Sequence, residues 1–185
     1  MTDAVLSLGD IPDLSGVGEG TPFESFSDGW YGGVILAKRE FTDKLGNDRV
    51  FESDDTPAQK SGRNIRLQLE LTRASDKRTM NISTLVNYQP DDLSPETVAA
   101  VLERKGTVIE QGDPLLRSSI ALQRLAALQK IAGGSALRRN GNGGLDLTPL
   151  YGKSGFFRIR PDNRNPLYKE IADFRADAPK KAKVL

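Results

Sequence analysis

The stretch Arg63-Asn64-Ile65-Arg66-Leu67-Gln68-Leu69-Glu70-Leu71-Thr72-Arg73 alternates apolar and polar residues without a break. Successive side chains of an extended strand point to opposite faces, so Ile65, Leu67, Leu69 and Leu71 share one face and Asn64, Arg66, Gln68 and Glu70 the other. The pattern predicts a strand with one side in a core and one in water. Residues 74–77, Ala-Ser-Asp-Lys, have turn composition. From Arg78 to Tyr88 the alternation resumes, with Met80, Ile82, Thr84, Val86 and Tyr88 on one side. The two segments read as an antiparallel hairpin.

Upstream, Trp30 to Phe41 reads as a long first strand interrupted by Gly32-Gly33. Glycines inside a strand mark a bulge, a sharp coil or a close backbone approach. Residues 42–61 are polar and read as a long loop, in which Val50-Phe51 is the one place for a short extra pairing. Downstream, Leu93-Ser94-Pro95-Glu96 begins a helix, with Ser94 as N-cap and Pro95 at the first position. Val98, Val101 and Leu102 form its apolar face, and Gly106 ends it. A second helix starts at Asp113-Pro114 and runs to Ile131, with Leu116, Ile120, Ala127 and Ile131 as its stripe and Leu115, Leu122 and Leu125 beside it. Residues 135–149 read as a flexible basic loop. Strands follow over 155–161 and 168–175, joined by a turn at 162–166.

Three strands, a helical insert over 94–133 and two more strands is a mainly β order. It is the order of a five-stranded Greek-key barrel of the oligonucleotide-binding (OB) type, with the helices between strands three and four. The expected organisation is an acidic, flexible leader over 1–27, a barrel domain over 28–177 and a basic tail over 178–185.

Among its 185 residues the chain has no Cys and no His. That removes disulfides, thiolate nucleophiles, zinc sites with N or S ligands and the commonest general base. A carboxylate-metal nuclease is the enzyme class that survives this exclusion. Its candidate pairs, Asp54-Asp55 and Asp91-Asp92, sit where acids occur for other reasons, the second pair just ahead of a helix. The expectation is therefore a binding protein without catalytic residues, metal or cofactor. No apolar run approaches the roughly 20 residues of a membrane span, and Met1 to Asp10 hold no Lys or Arg, unlike the basic start of a secretion signal. The expected location is the cytoplasm, the host's if the chain is phage-encoded.

A net charge of +1 conceals an uneven distribution. Residues 1–30 hold six acids and no base, which leaves 26 basic against 19 acidic residues for the rest, a surplus of seven. A basic groove that follows phosphates, with aromatic faces that stack bases, is what holds a single strand. The candidates are Arg63, Arg66, Arg73 and Arg78 around strands two and three, and Lys153, Phe156, Arg158, Arg160, Arg164 and Lys169 around strands four and five. Arg138 and Arg139 stand in the glycine-rich loop. Trp30, Tyr31, Tyr88 and Tyr168 complete the aromatics, with Trp30 read as core. Alternation puts Phe156 on the wet face with Arg158 and Arg160, and Phe157 in the core with Ile159.

Several segments together resemble a bacteriophage family: Asp28-Gly29-Trp30-Tyr31-Gly32-Gly33-Val34-Ile35, the hairpin through Leu71, the strand from Asn81 to Tyr88, the Leu-rich helix over 115–131, Leu150-Tyr151-Gly152-Lys153 and Tyr168-Lys169-Glu170-Ile171-Ala172-Asp173-Phe174. The family comprises small proteins encoded among replication and recombination genes and is similar in organisation to phage single-stranded-DNA-binding proteins. The likeness is one of pattern over roughly 28–175. It implies sequence-tolerant single-stranded DNA binding. The alternative is a phage structural or replisome protein that uses the barrel for protein contacts, and a homo-oligomer is compatible with either. Bacterial single-strand binders carry their acidic segment at the C-terminus, whereas here it is N-terminal. It reads as a solvated tail, an internal competitor for the basic surface, or a docking segment for replication or recombination proteins.

Overall fold

The computed structural model describes residues 26–43, 45–134, 136–164 and 168–180. Eight strands and two helices make up the fold: β1 (Gly29–Leu36), β2 (Lys38–Thr42), β3 (Asp48–Glu52), β4 (Asp54–Pro57), β5 (Arg63–Thr72), β6 (Thr79–Tyr88), α1 (Pro95–Glu103), α2 (Leu115–Ile131), β7 (Ser154–Pro161) and β8 (Lys169–Arg175). The fold is mainly β with wholly antiparallel pairing.

One sheet runs β6-β5-β1-β7-β8. β6 lies along the full length of β5, from Arg63↔Tyr88 to Thr72↔Thr79. The other edge of β5 is shared. β1 pairs with residues 68–72, and where β1 leaves, β4 takes over along 63–66. The sheet is not a closed barrel: among the described residues no ladder joins β6 to β8, although the two edge strands approach each other. α2 lies across that approach and packs against both.

The first strand is shorter than its sequence suggests. It breaks at Ala37, and β2 turns away to pair with β3 as a separate two-stranded hairpin, which we call the arm. The stretch over 42–61, expected as a loop, thus contains β3 and β4, and Val50-Phe51 does pair, with Glu40 and Arg39. Its polarity hid it, because every residue of β3 is exposed.

The inner face carries the core. Ile65, Leu67, Leu69 and Leu71 of β5 are fully buried, with Tyr31 and Ile35 of β1 and Phe157 and Ile159 of β7. Each such side chain contributes about 1.5–3 kcal/mol by leaving water. Gly33 belongs to this layer for a steric reason. A Cβ there would sit 2.5 Å from the Leu71 side chain and 2.9 Å from the Glu70 carbonyl. At Gly32, which faces outward, a Cβ would meet nothing.

The second helix buries Leu125 and Ile131 as expected, but the rest of its buried side differs from the expected stripe. Ser118, Ala121, Leu125 and Leu128 are buried, while Ile120 is exposed. Small Ser118 and Ala121 let the helix approach the sheet, and Ser118 Oγ donates to the buried carboxylate of Asp92 at 2.6 Å. In α1 Ser94 Oγ accepts from the Thr97 backbone N–H, as its N-cap role requires. None of the α1 residues is buried, Val98, Val101 and Leu102 included. No described helix is long and apolar enough to cross a membrane.

Of the leader, residues 1–25 lie outside the described residues. Phe26 is buried against Tyr31, their ring centroids 4.9 Å apart, and Asp28 accepts from Lys169. Residues 181–185 of the basic tail also lie outside.

Candidate nucleic-acid interface

The arm is built from two matched triplets. Arg39 pairs with Phe51 and Phe41 with Arg49 across the β2–β3 ladder. Residues two apart share a face, so Arg39, Phe41, Arg49 and Phe51 all project from one side. The two phenylalanine rings stack at 5.3 Å and 30°, yet remain 39% and 38% exposed. The Arg39 guanidinium lies 5.3 and 5.2 Å from the two ring centroids, and its Nε is buried without a hydrogen-bond partner. Exposed aromatic rings flanked by arginine are the surface on which a nucleobase stacks.

An isolated two-stranded hairpin is marginal in water. Here its base is anchored at Ser53. The Ser53 hydroxyl donates to the Leu36 carbonyl at 2.6 Å and accepts from the Gln68 backbone N–H at 2.8 Å. Tyr151 donates to the Ser53 carbonyl. At the tip, the Asp43 carboxylate accepts from the Leu45 and Asn47 backbones and pairs with Arg49. The Asn47 backbone first, and then Arg49, hold this carboxyl below its ordinary range.

The outer face of the main sheet carries a second group of candidates. Arg66 is exposed there, between Asp54 on β4 and Leu85 on β6. Thr72 of β5 pairs with Gly32 of β1, which pairs with Phe156 of β7, so Arg66, Gly32 and Phe156 share this face. Arg158 follows two residues on, exposed. Phe156 is half-buried beside the bare backbone of Gly32, and Phe157 is fully buried. The sheet therefore places Phe156 and Arg158 side by side level with the Thr72 end of β5, with Arg66 on the same face six residues along that strand at ~3.3 Å each and Lys153 exposed just before β7. Arg160 lies on the same face and bonds Glu170.

Other candidates are engaged elsewhere. Arg63 is on the core side, its Nε 2.8 Å from Asp55 Oδ1 and its side chain 10% exposed. The Asp55 side chain is fully buried and also accepts from the Tyr88 hydroxyl and the Leu145 backbone N–H. Tyr88 is therefore a core residue and no platform. Burial first, and the hydrogen bond to Asp55 second, push its phenol well above the ordinary tyrosine range. Arg73 binds Asp76 through two nitrogens at 2.9 and 2.6 Å and lies over the Phe26 ring. Arg78 pairs with the same carboxylate, which these contacts, the Arg73 hydrogen bond foremost, hold at about 2. Lys169 is held by Asp28.

Arg138 and Arg139 project from a segment with more order than its glycines suggest. Arg139 bridges to Leu145, and the Asn140 side chain accepts from the backbones of Asn142 and Gly144. Gly144 packs onto Asp55 and Arg63, where no Cβ would fit. Both arginines remain exposed, as does Arg164 in the β7–β8 turn. Tyr168 is exposed too, and Trp30 is buried beneath Arg175, whose guanidinium lies 5.1 Å from its ring.

Compared with known proteins, the chain matches no family model, and no curated sequence aligns with it.

Proposed function

We propose that the protein binds single-stranded DNA with little sequence preference, across the arm and the outer face of β5, β1 and β7. The observation that carries this reading is the stacked, exposed Phe41–Phe51 pair with Arg39 against it. Solvated aromatic rings are costly to maintain without a partner, and a base ring is the partner that stacks between arginine and phenylalanine. Arg66, Arg158 and Lys153 supply positive charge for phosphates on the main sheet, outside the arm.

The strand order β6-β5-β1-β7-β8 corresponds to 3-2-1-4-5 when the arm and β4 are set aside. That order, with a helix across the gap between the outer strands, supports an OB-type domain whose edges come close without pairing. In this reading the arm is the elaborated connection between the first two barrel strands. Together with the resemblance over 28–175, this favours a role in phage DNA replication or recombination.

Anisotropy titration of labelled oligonucleotides at low and at physiological salt tests the proposal. Tighter binding of single strands than of duplex, weakening steeply with salt, is expected. Equal or absent binding of both forms at low salt would refute it.

A further inference from the structure

A second surface lies away from the arm. An open groove of about 1380 Å³ runs between α1, α2, the Trp30 end of the sheet and residues 176–180. This exceeds the roughly 300–1,000 Å³ of a small-molecule site and suits a length of chain. Its floor is apolar: Trp30, Val101, Leu102, Ile109, Ile120 and Leu122. Leu102 is 61% and Ile120 47% exposed, so the apolar faces of α1 and α2 are only partly covered. Its rim is basic, with Arg104, Lys105, Lys130, Arg158, Arg175 and Lys180 against Asp173 and Asp177.

The chain itself contains a segment of the opposite character. Residues 1–25 hold five acids and no base, and the acids alternate with aliphatics: Val5, Leu6 and Leu8 follow Asp3, and Ile11 and Leu14 flank Asp10 and Asp13. A merely solvated tail has no need of five large aliphatic residues within ten positions. The described fold begins at Phe26, four residues before Trp30 of the groove. Phe26 packs on Tyr31, and Tyr31 donates to the Ser27 carbonyl at 2.8 Å, which holds residues 26–31 in a compact turn beside Trp30. At ~3.3 Å per residue, Leu14 can lie up to roughly 40 Å from Phe26, which lets the segment reach the groove.

We infer that residues 3–14 dock in this groove within the same chain, aliphatic side chains on the α1–α2 floor and carboxylates against the basic rim. Tethering gives the segment an effective concentration on the order of mM, so even a weak apolar contact is occupied. The arm forms no part of the groove, and Arg158 on the rim is the one residue the groove shares with the proposed nucleic-acid surface.

The chain has no Cys, so Ser7→Cys in the full-length protein gives a single attachment point for a nitroxide spin label. Methyl and aromatic NMR signals then report which surface the label visits. Loss of the Leu102 and Ile120 methyl signals, with Phe41 and Phe51 unaffected and no dependence on protein concentration, is the expected result. Ile120→Asp should abolish the broadening at Leu102. Leu8→Asp with Ile11→Asp should abolish it at both methyls without touching a residue of the described fold. Intact groove signals would overturn the inference. So would broadening confined to the arm, or broadening that disappears on dilution, which would place a second copy in the groove.

Discussion

The carboxylate of Asp55 and the guanidinium of Arg63 meet at 2.8 Å on the core side of the β4–β5 ladder, the carboxylate wholly buried. Tyr88 and the Leu145 backbone close the remaining acceptor positions. One carboxylate thus ties β4, β5, β6 and the segment after α2 together at one end of the core.

Arg63→Ala would leave that buried charge without its cation. Breaking such a pair from one side costs about 3–5 kcal/mol. Arg66→Ala, three residues on and exposed, should stay within about 0.5 kcal/mol. Urea denaturation of the two variants checks the contrast. Limited proteolysis should show new cleavage within 138–145 in the Arg63 variant alone.

Tyr88 should resist alkaline titration. Its phenol is stabilised in the protonated form, so its folded pKa lies above the unfolded value of about 10. The associated stability is complete below about pH 10 and is lost as pH rises through the folded value. Phenolate absorbance followed through alkaline pH measures this. Tyr88 should ionise late, with loss of structure, and Tyr88→Phe should remove that late step.

The paired glycines of β1 should separate cleanly. Gly33→Ala drives a methyl into Leu71 and the Glu70 carbonyl and should cost about 1–3 kcal/mol by overpacking. Gly32→Ala meets open space and should be neutral or slightly stabilising, since alanine loses less backbone entropy. Thermal melts of the two variants test this.

Much of this arrangement is legible from strand parity. Arg63 and Arg73 stand in register with Ile65, Leu67, Leu69 and Leu71, so alternation alone assigns both to the core side, where each finds an acidic partner. The same rule correctly separates Phe156 from Phe157. Of the arm, only a strand reaching Phe41 and a short pairing at Val50-Phe51 are legible, because all its strand residues but Arg39 are exposed and carry no amphipathic signal. Their trace is the repeated spacing of arginine and phenylalanine two residues apart on either side of Leu45-Gly46-Asn47. The buried side of α2 was hidden differently. It is made of Ser118 and Ala121 as well as leucines, and a reading that follows large apolar residues selects Leu116 and Ile120, which line the groove.

On β7 the two arginines should not be equal. Arg160 is bonded to Glu170, while Arg158 has no ion pair among the described residues. Arg158→Glu should weaken single-strand binding and lower the salt slope by about 0.7 for each phosphate that is no longer neutralised. Arg160→Glu should do less. Oligonucleotide titrations across a salt series, with circular dichroism to verify the fold, measure both.

The arm decides the account. Phe41→Ala and Phe51→Ala remove rings that pack on each other and on Arg39 and lie outside the core cluster, so the variants should keep the main sheet of the parent. A stacked base is worth about 1–3 kcal/mol, so each substitution should raise the Kd for a single-stranded oligonucleotide roughly five- to 150-fold. The salt slope should stay unchanged, because a phenylalanine ring neutralises no phosphate. Fluorescence anisotropy on the parent and the two variants at one fixed salt concentration is the direct measurement. A folded double variant that binds the oligonucleotide as tightly as the parent would contradict the assignment of the arm as the base-stacking surface.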